Sequence, residues 1–572
     1  MHMAPYQNYP TTPVTDLRRL YRDAAAQHGD KRLFLQKGEG RYREISYRRF
    51  ADDVDALSAL LCRHGLIGKP IVIIGKPCYE WMLAFMGAVC TGVAVPLDEG
   101  LPTDKIAKLA SHCEASLIIC DTATDNRLSR LSHPVARIRF SQLKAAVTKG
   151  TALLQQDSAD ALLPDVDPDA MHAIFYTAGT TDTPKGVMLS HRNLCFHLSE
   201  IGQMILIEKE DVFLSIQPLH QLQECVCGVL FPMSRGATVA FAGGLRSLQK
   251  GLTEVMPSVL LCPPALPETL YKSIRQRVRS QGLEKRVLAY INSTNAIPNL
   301  KARLSAKQKF FASLHQSFGG KLRLLISGGD SVDPAVLSGL RDYGFLALQC
   351  YSVTECGSTV AINRDTYFFD DSVGMASPNA LLDISESADE RTGEIRYRSD
   401  GVMLGYYKDP VLTASVLRNG WLYTGDLGYL DEKGLLYVVG RKSNAIALAD
   451  GRSVYPEELE RLLLDTGIIE DALVVGYKQP NGSDTDILAI LCPDYEALRQ
   501  WDHEVLTPER LEWNLKRAIA SVNAQLSPHK QISMHLVSSQ ALPKNKNGRD
   551  QRRATAALYR EEYLKKRRPG SP

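Results

Sequence analysis

The chain of 572 residues is too long for a single hydrophobic core and is expected to divide into two or three domains. Its apolar, charged and aromatic fractions of 44%, 23% and 7% are those of an ordinary globular protein. A formal net charge of +3 is close to neutral, so no general nucleic-acid or membrane-surface partner is expected.

The N-terminal residues lack the basic-then-apolar pattern of a signal peptide. The most apolar region, residues 81–96, is too short to cross a bilayer comfortably and predicts a buried helix that runs into a strand. The cysteines form no Cys-x-x-Cys pair and have no spacing suited to zinc. Together these features indicate a cytoplasmic protein without a transmembrane segment or structural metal. The basic run 565–568 predicts a solvated tail, with a weak peripheral contact with acidic membrane lipid, or a contact with a carrier protein, as the alternatives.

Short runs of β-branched and apolar residues alternate with helical patterns over most of the chain. The candidate strands are residues 71–74, 117–120, 172–176, 212–216, 238–241, 322–326 and 345–350. This alternation predicts an α/β fold with largely buried sheets. In such folds the ligand-binding loops follow the carboxyl ends of the strands.

One loop of this kind, residues 176–186, has the sequence YTAGTTDTPKG. It follows a predicted strand and offers backbone N–H groups, hydroxyls and the ammonium of Lys185. These are the groups that hold the phosphates of ATP. The loop lacks the Gly-x4-Gly-Lys-Ser/Thr pattern of the common nucleotide loop, and an ordinary turn of small residues is the alternative interpretation.

Two further strand-to-loop transitions lie downstream. Residues 327–331, SGGDS, contain paired glycines that let a flat ring approach the backbone closely. Residues 351–355, YSVTE, place an aromatic ring and a carboxylate four residues apart. Tyr351 and Glu355 would suit a purine and a magnesium ion. Taken alone, a core tyrosine and a surface carboxylate are the alternative.

From Gly393 the pattern changes to short strands separated by turns, such as the turn 431–434. It changes again after residues 440–444. Pro456, followed by two glutamates, predicts the start of an amphipathic helix through Leu463. We therefore expect a domain boundary near Ser443, between an N-terminal domain of residues 1–442 and a C-terminal domain of residues 443–572.

Considered together, the motifs resemble those of the adenylate-forming superfamily, which includes acyl-CoA synthetases, adenylation domains of peptide synthetases and luciferases. The resemblance covers essentially the whole chain. It is carried by six motifs in the family's order: residues 176–186, PLH at 218–220, SGGDS at 327–331, YSVTE at 351–355, YTGDL at 423–427 with GRK at 440–442, and LPKNKNGR at 542–549.

The resemblance implies an N-terminal AMP-binding domain of α/β-sandwiched sheets with a small β-barrel-like subdomain. A small mobile α/β lid would follow, with Ser443 at its hinge. It also implies the reaction. A carboxylate attacks the α-phosphorus of ATP, pyrophosphate leaves, and a thiol then attacks the acyl adenylate to give a thioester. The implied cofactors and co-substrates are ATP, Mg²⁺ and coenzyme A.

The resemblance also implies roles for individual residues. The phosphates would be held by Thr177, Gly179, Thr180, Thr181 and Lys185. Magnesium would be bound by Glu355 with Thr180. Thr354 would contact the α-phosphate.

The remaining implied roles concern the nucleoside, the acyl group and the lid. The adenine would be bordered by Gly328, Gly329 and Tyr351, and the ribose would be bound by Asp426 and Arg441. His220 would lie at the gate of the acyl tunnel, with a structural histidine at a strand end as the alternative. Arg549 occupies the position of the family's catalytic lysine.

The acyl substrate is indicated by the region after Pro218. Amino-acid-activating members of the family carry an aspartate just after this motif, and residues 219–225 contain none. The apolar segment 224–232 and the segment 406–410, YYKDP, resemble those of fatty acyl-CoA synthetases. We therefore expect a medium- or long-chain fatty acid as the substrate and CoA as the acceptor.

Several positions depart from the family pattern, which leaves two further interpretations open. Arginine keeps the charge of lysine at residue 549 but is planar and bulkier. Ala178 removes a hydroxyl, Asp182 adds a negative charge, and Ser352 replaces a glycine. One alternative is acyl transfer to the phosphopantetheine thiol of a carrier protein. The other is a catalytically degenerate homologue that only binds a nucleotide or acyl group.

Overall fold

The computed structural model describes residues 6–38, 41–130, 135–177, 185–243, 247–385, 392–448, 452–479, 485–502, 505–543 and 552–566. The helices are α1 Leu17–His28, α2 Tyr47–Arg63, α3 Tyr79–Thr91, α4 Thr103–His112, α5 Thr122–Leu128, α6 Leu143–Leu154, α7 Ala159–Leu162, α8 His191–Met204, α9 Phe231–Ser234, α10 Leu248–Val255, α11 Ala265–Ser280, α12 Glu284–Asn295, α13 Leu300–Phe310, α14 Ala312–Ser317, α15 Pro334–Asp342, α16 Pro410–Val416, α17 Pro456–Leu464, α18 Tyr495–Asp502, α19 Pro508–Asn523 and α20 Arg552–Lys566. A π-helix, Glu224–Leu230, directly precedes α9.

The strands are β1 Arg32–Lys37, β2 Tyr42–Ser46, β3 Pro70–Ile74, β4 Val93–Leu97, β5 Leu117–Cys120, β6 Ala136–Arg139, β7 Met171–Thr177, β8 Lys185–Ser190, β9 Val212–Ser215, β10 Thr238–Phe241, β11 Val259–Cys262, β12 Leu324–Gly328, β13 Leu346–Val353, β14 Ser358–Ile362, β15 Met375–Ala376, β16 Leu381–Ile384, β17 Gly393–Arg398, β18 Gly405–Tyr406, β19 Leu417–Arg418, β20 Trp421–Leu430, β21 Leu436–Arg441, β22 Ile446–Ala447, β23 Ser453–Val454, β24 Ile469–Lys478, β25 Thr485–Pro493 and β26 Met534–Val537. None of the helices in the described ranges is long and apolar enough to cross a membrane.

The chain forms two compact units. The larger consists of Met1–Asp383, Arg396–Thr424 and Leu430–Leu436. The smaller consists of Ile384–Ile395, Gly425–Tyr429 and Tyr437–Pro572.

Two large sheets organise the larger unit. A nine-stranded sheet has the order β15-β14-β13-β12-β11-β9-β10-β1-β2, and a seven-stranded sheet has the order β18-β8-β7-β4-β3-β5-β6. Both sheets have parallel centres. The nine-stranded sheet has antiparallel pairs at both edges, whereas the seven-stranded sheet has them only at the β18 edge. The mixed α/β architecture predicted from the sequence is confirmed.

Residues of both sheets enclose a layer of helices. Ile71 and Ile73 of β3 belong to the same core cluster as β1, β10, α2 and α3, whereas Val72 and Ile74 pack with α4 on the opposite face. Both faces of β3 are therefore buried, which explains its uninterrupted apolar sequence. The apolar region 81–96 forms the almost entirely buried helix α3 and the strand β4, as predicted.

Two predicted strands are shifted towards the C-terminus. β12 extends to Gly328 because it pairs with β11 and β13 in parallel, with Gly328 opposite Cys350. β13 extends through Val353 because its end pairs antiparallel with β14. Tyr351 therefore lies in a strand and not in the loop where the sequence pattern placed it.

The hairpin-rich segment predicted after Gly393 supplies strands to a third sheet, which contains β16, β17, β19, β20 and β21. In the smaller unit, β24, β25 and β26 form a three-stranded sheet. Helices α17 and α19 pack on one face of this sheet, and α20 packs on the other. Helix α17 begins at Pro456, as the sequence predicts.

Candidate functional site

The predicted phosphate loop connects two paired strands of the seven-stranded sheet. Thr177, the last residue of β7, lies opposite Lys185, the first residue of β8. The intervening residues 178–184, including the predicted ligands Gly179, Thr180 and Thr181, lie outside the described residues. The antiparallel pairing brings the two ends of this segment together at the carboxyl end of β7.

Tyr406 connects Lys185 with Glu355. The Lys185 Nζ lies 5.4 Å from the centre of the Tyr406 ring, a cation–π arrangement. The Tyr406 hydroxyl donates a 2.8 Å hydrogen bond to Glu355 Oε1. β18 positions Tyr406, because it pairs antiparallel with β8 and places Tyr406 opposite Val187. The structure thus brings together two of the residues that the sequence motifs single out.

The backbone around Glu355 is also fixed. Thr354 and Glu355 lie in a short 3₁₀ turn directly after β13. The Met403 N–H donates to the Glu355 carbonyl at 2.9 Å, and a ring nitrogen of His197 lies 2.7 Å from the Cys356 carbonyl oxygen. Burial lowers the pKa of His197 to about 4, so its imidazole is neutral near pH 7. The turn is therefore held by contacts on both sides.

The paired glycines at the end of β12 have different surroundings. A Cβ at Gly328 would overlap the Gln223 amide and approach Cys350 Sγ to 2.9 Å. Gly329 has φ +118°, and a Cβ there would meet no heavy atom within 4 Å. Gly328 is therefore packed against its neighbours, whereas Gly329 borders open space beside the end of β13.

His220 lies in the turn between β9 and the π-helix and is half-buried. The π-helix that follows begins with Glu224, whose side chain is buried. Glu224 Oε1 accepts a 2.6 Å hydrogen bond from Ser215 Oγ at the end of β9. The carboxyl group of Glu224 therefore ties the π-helix to the strand that precedes the turn with His220.

The Glu224 carboxyl has an unusual environment. Burial raises its pKa to about 8, so the group is predominantly protonated near pH 7. A Cβ at Gly228 would lie 2.8 Å from its carboxyl carbon, so a larger residue there would displace the Glu224 side chain. Burial also raises the pKa of the Cys227 and Cys262 thiols, and the nearby Glu224 adds to this effect. These groups form an uncharged polar cluster at neutral pH.

In the smaller unit, Asp426 and Arg441 form an ion pair. Arg441 Nε lies 3.1 Å from Asp426 Oδ1, and the Asp426 side chain is almost fully buried. Beside them, the Gly425 N–H donates to Glu394 at 3.1 Å, and Lys442 pairs with Glu394 at 2.8 Å. The two residues that the resemblance assigns to the ribose are therefore neighbours.

The lid motif is only partly described. Leu542 is buried, while Lys544, Lys546 and Arg549 lie outside the described residues. Ser443, the predicted hinge residue, lies in a 3₁₀ turn, Lys442–Asn444. The Asn444 side-chain amide donates to Glu457 of α17 at 2.7 Å.

Sequence reasoning missed two residues of this region. The sequence pattern places Tyr406 only in a segment that resembles fatty acyl-CoA synthetases, because its contact with Glu355 spans 51 positions of the chain. Glu224 lies within an apolar segment of the sequence. A carboxylate among apolar residues is the signal that could have identified it, since such a group is rarely buried without a role.

The surroundings of Glu355 bear on the magnesium role that the resemblance implies for it. The described residues contain no group of three or more His, Cys, Asp or Glu side chains that could hold a metal. Mg²⁺ is commonly bound by one or two carboxylates together with substrate phosphates. A single carboxylate near Lys185 fits that type of site.

Two family models match most of the chain. Residues 21–407 match the AMP-binding enzyme family, and residues 443–564 match the AMP-binding enzyme C-terminal domain. The chain is 27% identical over 533 residues to long-chain-fatty-acid–CoA ligase 5 of Rattus norvegicus, covering 85% of this chain and 76% of that protein. It is 26% identical over 514 residues to long chain acyl-CoA synthetase 2 of Arabidopsis thaliana, covering 82% and 76%.

The fold is shared with solved structures. ATP-bound MatB from Rhodopseudomonas palustris superposes with a TM-score of 0.74 at 19% identity, over 96% of this chain and 99% of that one. The family match covers more than half of the chain, and the motifs and the fold agree with it. This chain therefore belongs to the AMP-binding enzyme family.

Proposed function

We propose that the protein uses ATP and Mg²⁺ to activate a fatty acid of medium or long chain as an acyl adenylate, and then transfers the acyl group to CoA. The observation that carries this proposal is the arrangement of Lys185, Tyr406 and Glu355 at the ends of β8, β18 and β13. The ammonium of Lys185 and the carboxylate of Glu355 both contact Tyr406, and Lys185 belongs to the predicted phosphate loop in the sequence. The names of the relatives, which are fatty acyl-CoA ligases, support the substrate class.

The first half-reaction joins two anions. A carboxylate oxygen of the acid attacks the α-phosphorus, a new P–O bond forms, and the bond to pyrophosphate breaks. Lys185 supplies positive charge to the phosphates, and Glu355 would hold Mg²⁺, which neutralises further charge. Tyr406 orients Glu355. Positioning and charge neutralisation supply most of the rate enhancement in such a reaction.

The second half-reaction breaks the mixed anhydride. The acceptor thiol loses its proton to solvent, its sulfur attacks the acyl carbon to form a thioester bond, and AMP leaves with the electron pair of the broken bond. We propose residues 443–572 as a lid that moves between the half-reactions, with Ser443 as its hinge. Support comes from the separate match of residues 443–564 to the C-terminal domain of the family.

Further roles are proposed for the motif residues. Thr177 and Lys185, with Gly179, Thr180 and Thr181, would bind phosphates, and Thr354 the α-phosphate. Gly328, Gly329 and Tyr351 would border the adenine, and the open space beside Gly329 supports this role. Asp426 and Arg441 would bind the ribose. His220 would gate the acyl site, and Arg549 would act in adenylation.

The test is ATP–pyrophosphate exchange dependent on Mg²⁺ and on a series of straight-chain acids, followed by thioester formation with CoA. Glu355→Gln is expected to lower the exchange rate by about 100-fold. Glu432→Gln is the matched control, because Glu432 is exposed in the turn before β21. Absence of exchange with every acid would reject the proposal.

A competition experiment separates the acceptors. Holo-acyl carrier protein and CoA are offered together, and the two thioesters are measured. CoA thioester is expected to dominate; exclusive acylation of the carrier protein would instead identify a carrier-protein ligase. Arg549→Lys tests the degenerate alternative, because a large gain in exchange would mean that arginine limits adenylation.

A further inference from the structure

Three consecutive helices concentrate positive charge on the larger unit. Residues 272–309, which run from the second turn of α11 through α12 and α13, contain ten lysine and arginine residues and one acid, Glu284; a second acid, Glu268, lies in the first turn of α11. Their net charge is +9, although the whole chain carries only +3. The rest of the chain therefore has a net charge of −6. The near-neutral total hides a strongly basic region.

Most of these cations face solvent. The exposed set consists of Lys272, Arg275, Arg277, Arg279, Lys285, Arg286, Lys301 and Lys309. Arg279 is paired with Glu284 at 3.1 Å, and the buried Lys307 is paired with Asp342 at 2.9 Å. Within the part of the chain that the structure describes, Lys272, Lys285 and Lys301 have no carboxylate within ion-pairing distance. The positive charge is thus largely uncompensated.

The opposite faces of α11 and α12 are anchored. Ile274 of α11 and Val287 and Ile291 of α12 belong to a buried cluster with Leu325 and Ala347 of the nine-stranded sheet. The basic side chains of these two helices therefore project from a firmly packed support. On α11, Lys272, Arg275 and Arg279 follow at intervals of three and four residues, which places them along one side of the helix.

Large apolar side chains are exposed among the cations. Leu288 on α12 is 60% exposed and Phe310 at the end of α13 is 38% exposed. The Phe310 ring stacks on Tyr290 of α12 at 3.6 Å, which joins the two helices at the surface. Single exposed apolar residues are common, but Leu288 lies one helical turn from the exposed Lys285, and Phe310 directly follows the exposed Lys309. This combination is typical of segments that lie on a membrane.

We propose that this surface, formed by α11, α12 and α13, docks the protein on bilayers that contain anionic lipid. Lysine and arginine attract the lipid headgroups, while Leu288 and Phe310 enter the interface between headgroups and acyl chains. A nucleic acid would use the same charges, but it would leave Leu288 without an apolar partner. The exposed leucine therefore favours the lipid surface. The proposal does not depend on the reaction that the protein catalyses.

The test uses the full-length protein and sedimentation with sucrose-loaded vesicles. One set consists of phosphatidylcholine, and in the other a third of the lipid is phosphatidylglycerol. Binding is expected only to the second set and should weaken as salt is added. The triple variant Arg275→Gln, Lys285→Gln, Lys301→Gln should bind about 100-fold more weakly.

The matched control removes the same number of positive charges from another part of the surface. Arg63, Lys144 and Lys149 are exposed at the end of α2 and on α6. Changing all three to glutamine should leave vesicle binding within about twofold of the wild type. A comparable loss in both triple variants would overturn the proposal, because net charge alone would then explain binding.

Two additional arms distinguish the remaining outcomes. Leu288→Ser should weaken vesicle binding several-fold without changing its salt dependence, and an unchanged affinity would contradict the insertion of this residue. A fluorescent DNA or RNA duplex is titrated at the same salt concentration. Tight duplex binding without vesicle binding would replace the membrane with a nucleic acid as the partner. Equal binding to both vesicle compositions would also reject the proposal.

Discussion

The Tyr406 hydroxyl donates a 2.8 Å hydrogen bond to Glu355 Oε1. Tyr406 is buried, and burial together with the adjacent Glu355 carboxylate raises the pKa of its hydroxyl well above the usual range. The hydroxyl therefore remains protonated and stays a donor throughout the physiological pH range. This hydrogen bond occupies Oε1 of Glu355 and thereby orients Oε2.

Tyr406→Phe should weaken Mg²⁺ binding while the ring still faces Lys185. Loss of a hydrogen bond to a charged group has a typical cost that corresponds to about a tenfold to a hundredfold effect. The apparent Mg²⁺ constant in pyrophosphate exchange is the measurement. Tyr407→Phe serves as the control, since the neighbouring ring contacts His112 and Lys408 instead. Equal effects of the two changes would argue against an orienting role for Tyr406.

Gly328→Ala should destabilise the larger unit. The new methyl group would overlap the Gln223 amide and crowd Cys350 Sγ, and overpacking of this kind costs about 1–3 kcal/mol. The double variant Gln223→Ala, Gly328→Ala should recover part of the loss, because the overlapping amide is gone. Thermal unfolding of both variants and of Gln223→Ala alone measures this coupling. Strictly additive changes would show that Gln223 is not the obstacle.

The buried carboxyl group of Glu224 should make the free energy of unfolding of the protein depend on pH. The pKa of Glu224 rises from 4.5 to about 8 in the folded protein because the carboxyl is buried. Between these values the folded state holds a proton that the unfolded state releases. Stability therefore falls with rising pH, by about 1.4 kcal/mol per pH unit. Below pH 4.5 the titration of Glu224 does not change the stability, and above about pH 8 the stability falls no further on its account.

Glu224→Gln removes this titration and preserves the shape of the side chain. The variant should gain stability relative to the wild type as the pH rises from about 5 to about 8. The measurement is the difference in thermal midpoint between the two proteins at each pH. A difference that does not change with pH would mean that Glu224 titrates near its ordinary pKa.

The Arg552–Glu460 ion pair should be essential to the stability of the smaller unit. Arg552 contacts the buried Glu460 carboxylate at 2.5 and 3.0 Å and also donates to the Val474 carbonyl. It joins α20 to α17 and β24. Arg552→Met leaves an unpaired buried carboxylate and should cost about 3–5 kcal/mol.

Two variants complete this experiment. The double change Glu460→Gln, Arg552→Met should restore much of the stability, because no buried charge remains unpaired. Lys530→Met breaks a more accessible pair with Glu458 and should cost less than about 1 kcal/mol. Thermal unfolding monitored in the smaller unit is the readout. Similar losses for Arg552→Met and Lys530→Met would contradict the assignment.

Local sequence patterns were sufficient for many elements. The buried strands β3, β5 and β10 consist of uninterrupted apolar and β-branched residues, and Pro456 marks the start of α17. Each of these signals lies within a few neighbouring positions. The ends of β12 and β13 could not be predicted in this way, because pairing with other strands determines where they stop.

The sequence by itself determined the family, the α/β fold and the motif residues Lys185 and Glu355, since these depend on residue types at short spacings. Only the tertiary structure brought Tyr406 to Glu355 and buried Glu224 beside Ser215. It also revealed that the outer sides of α11, α12 and α13 carry exposed charge. Contacts between distant segments depend on how strands pair and helices pack, and that information is not local in the chain.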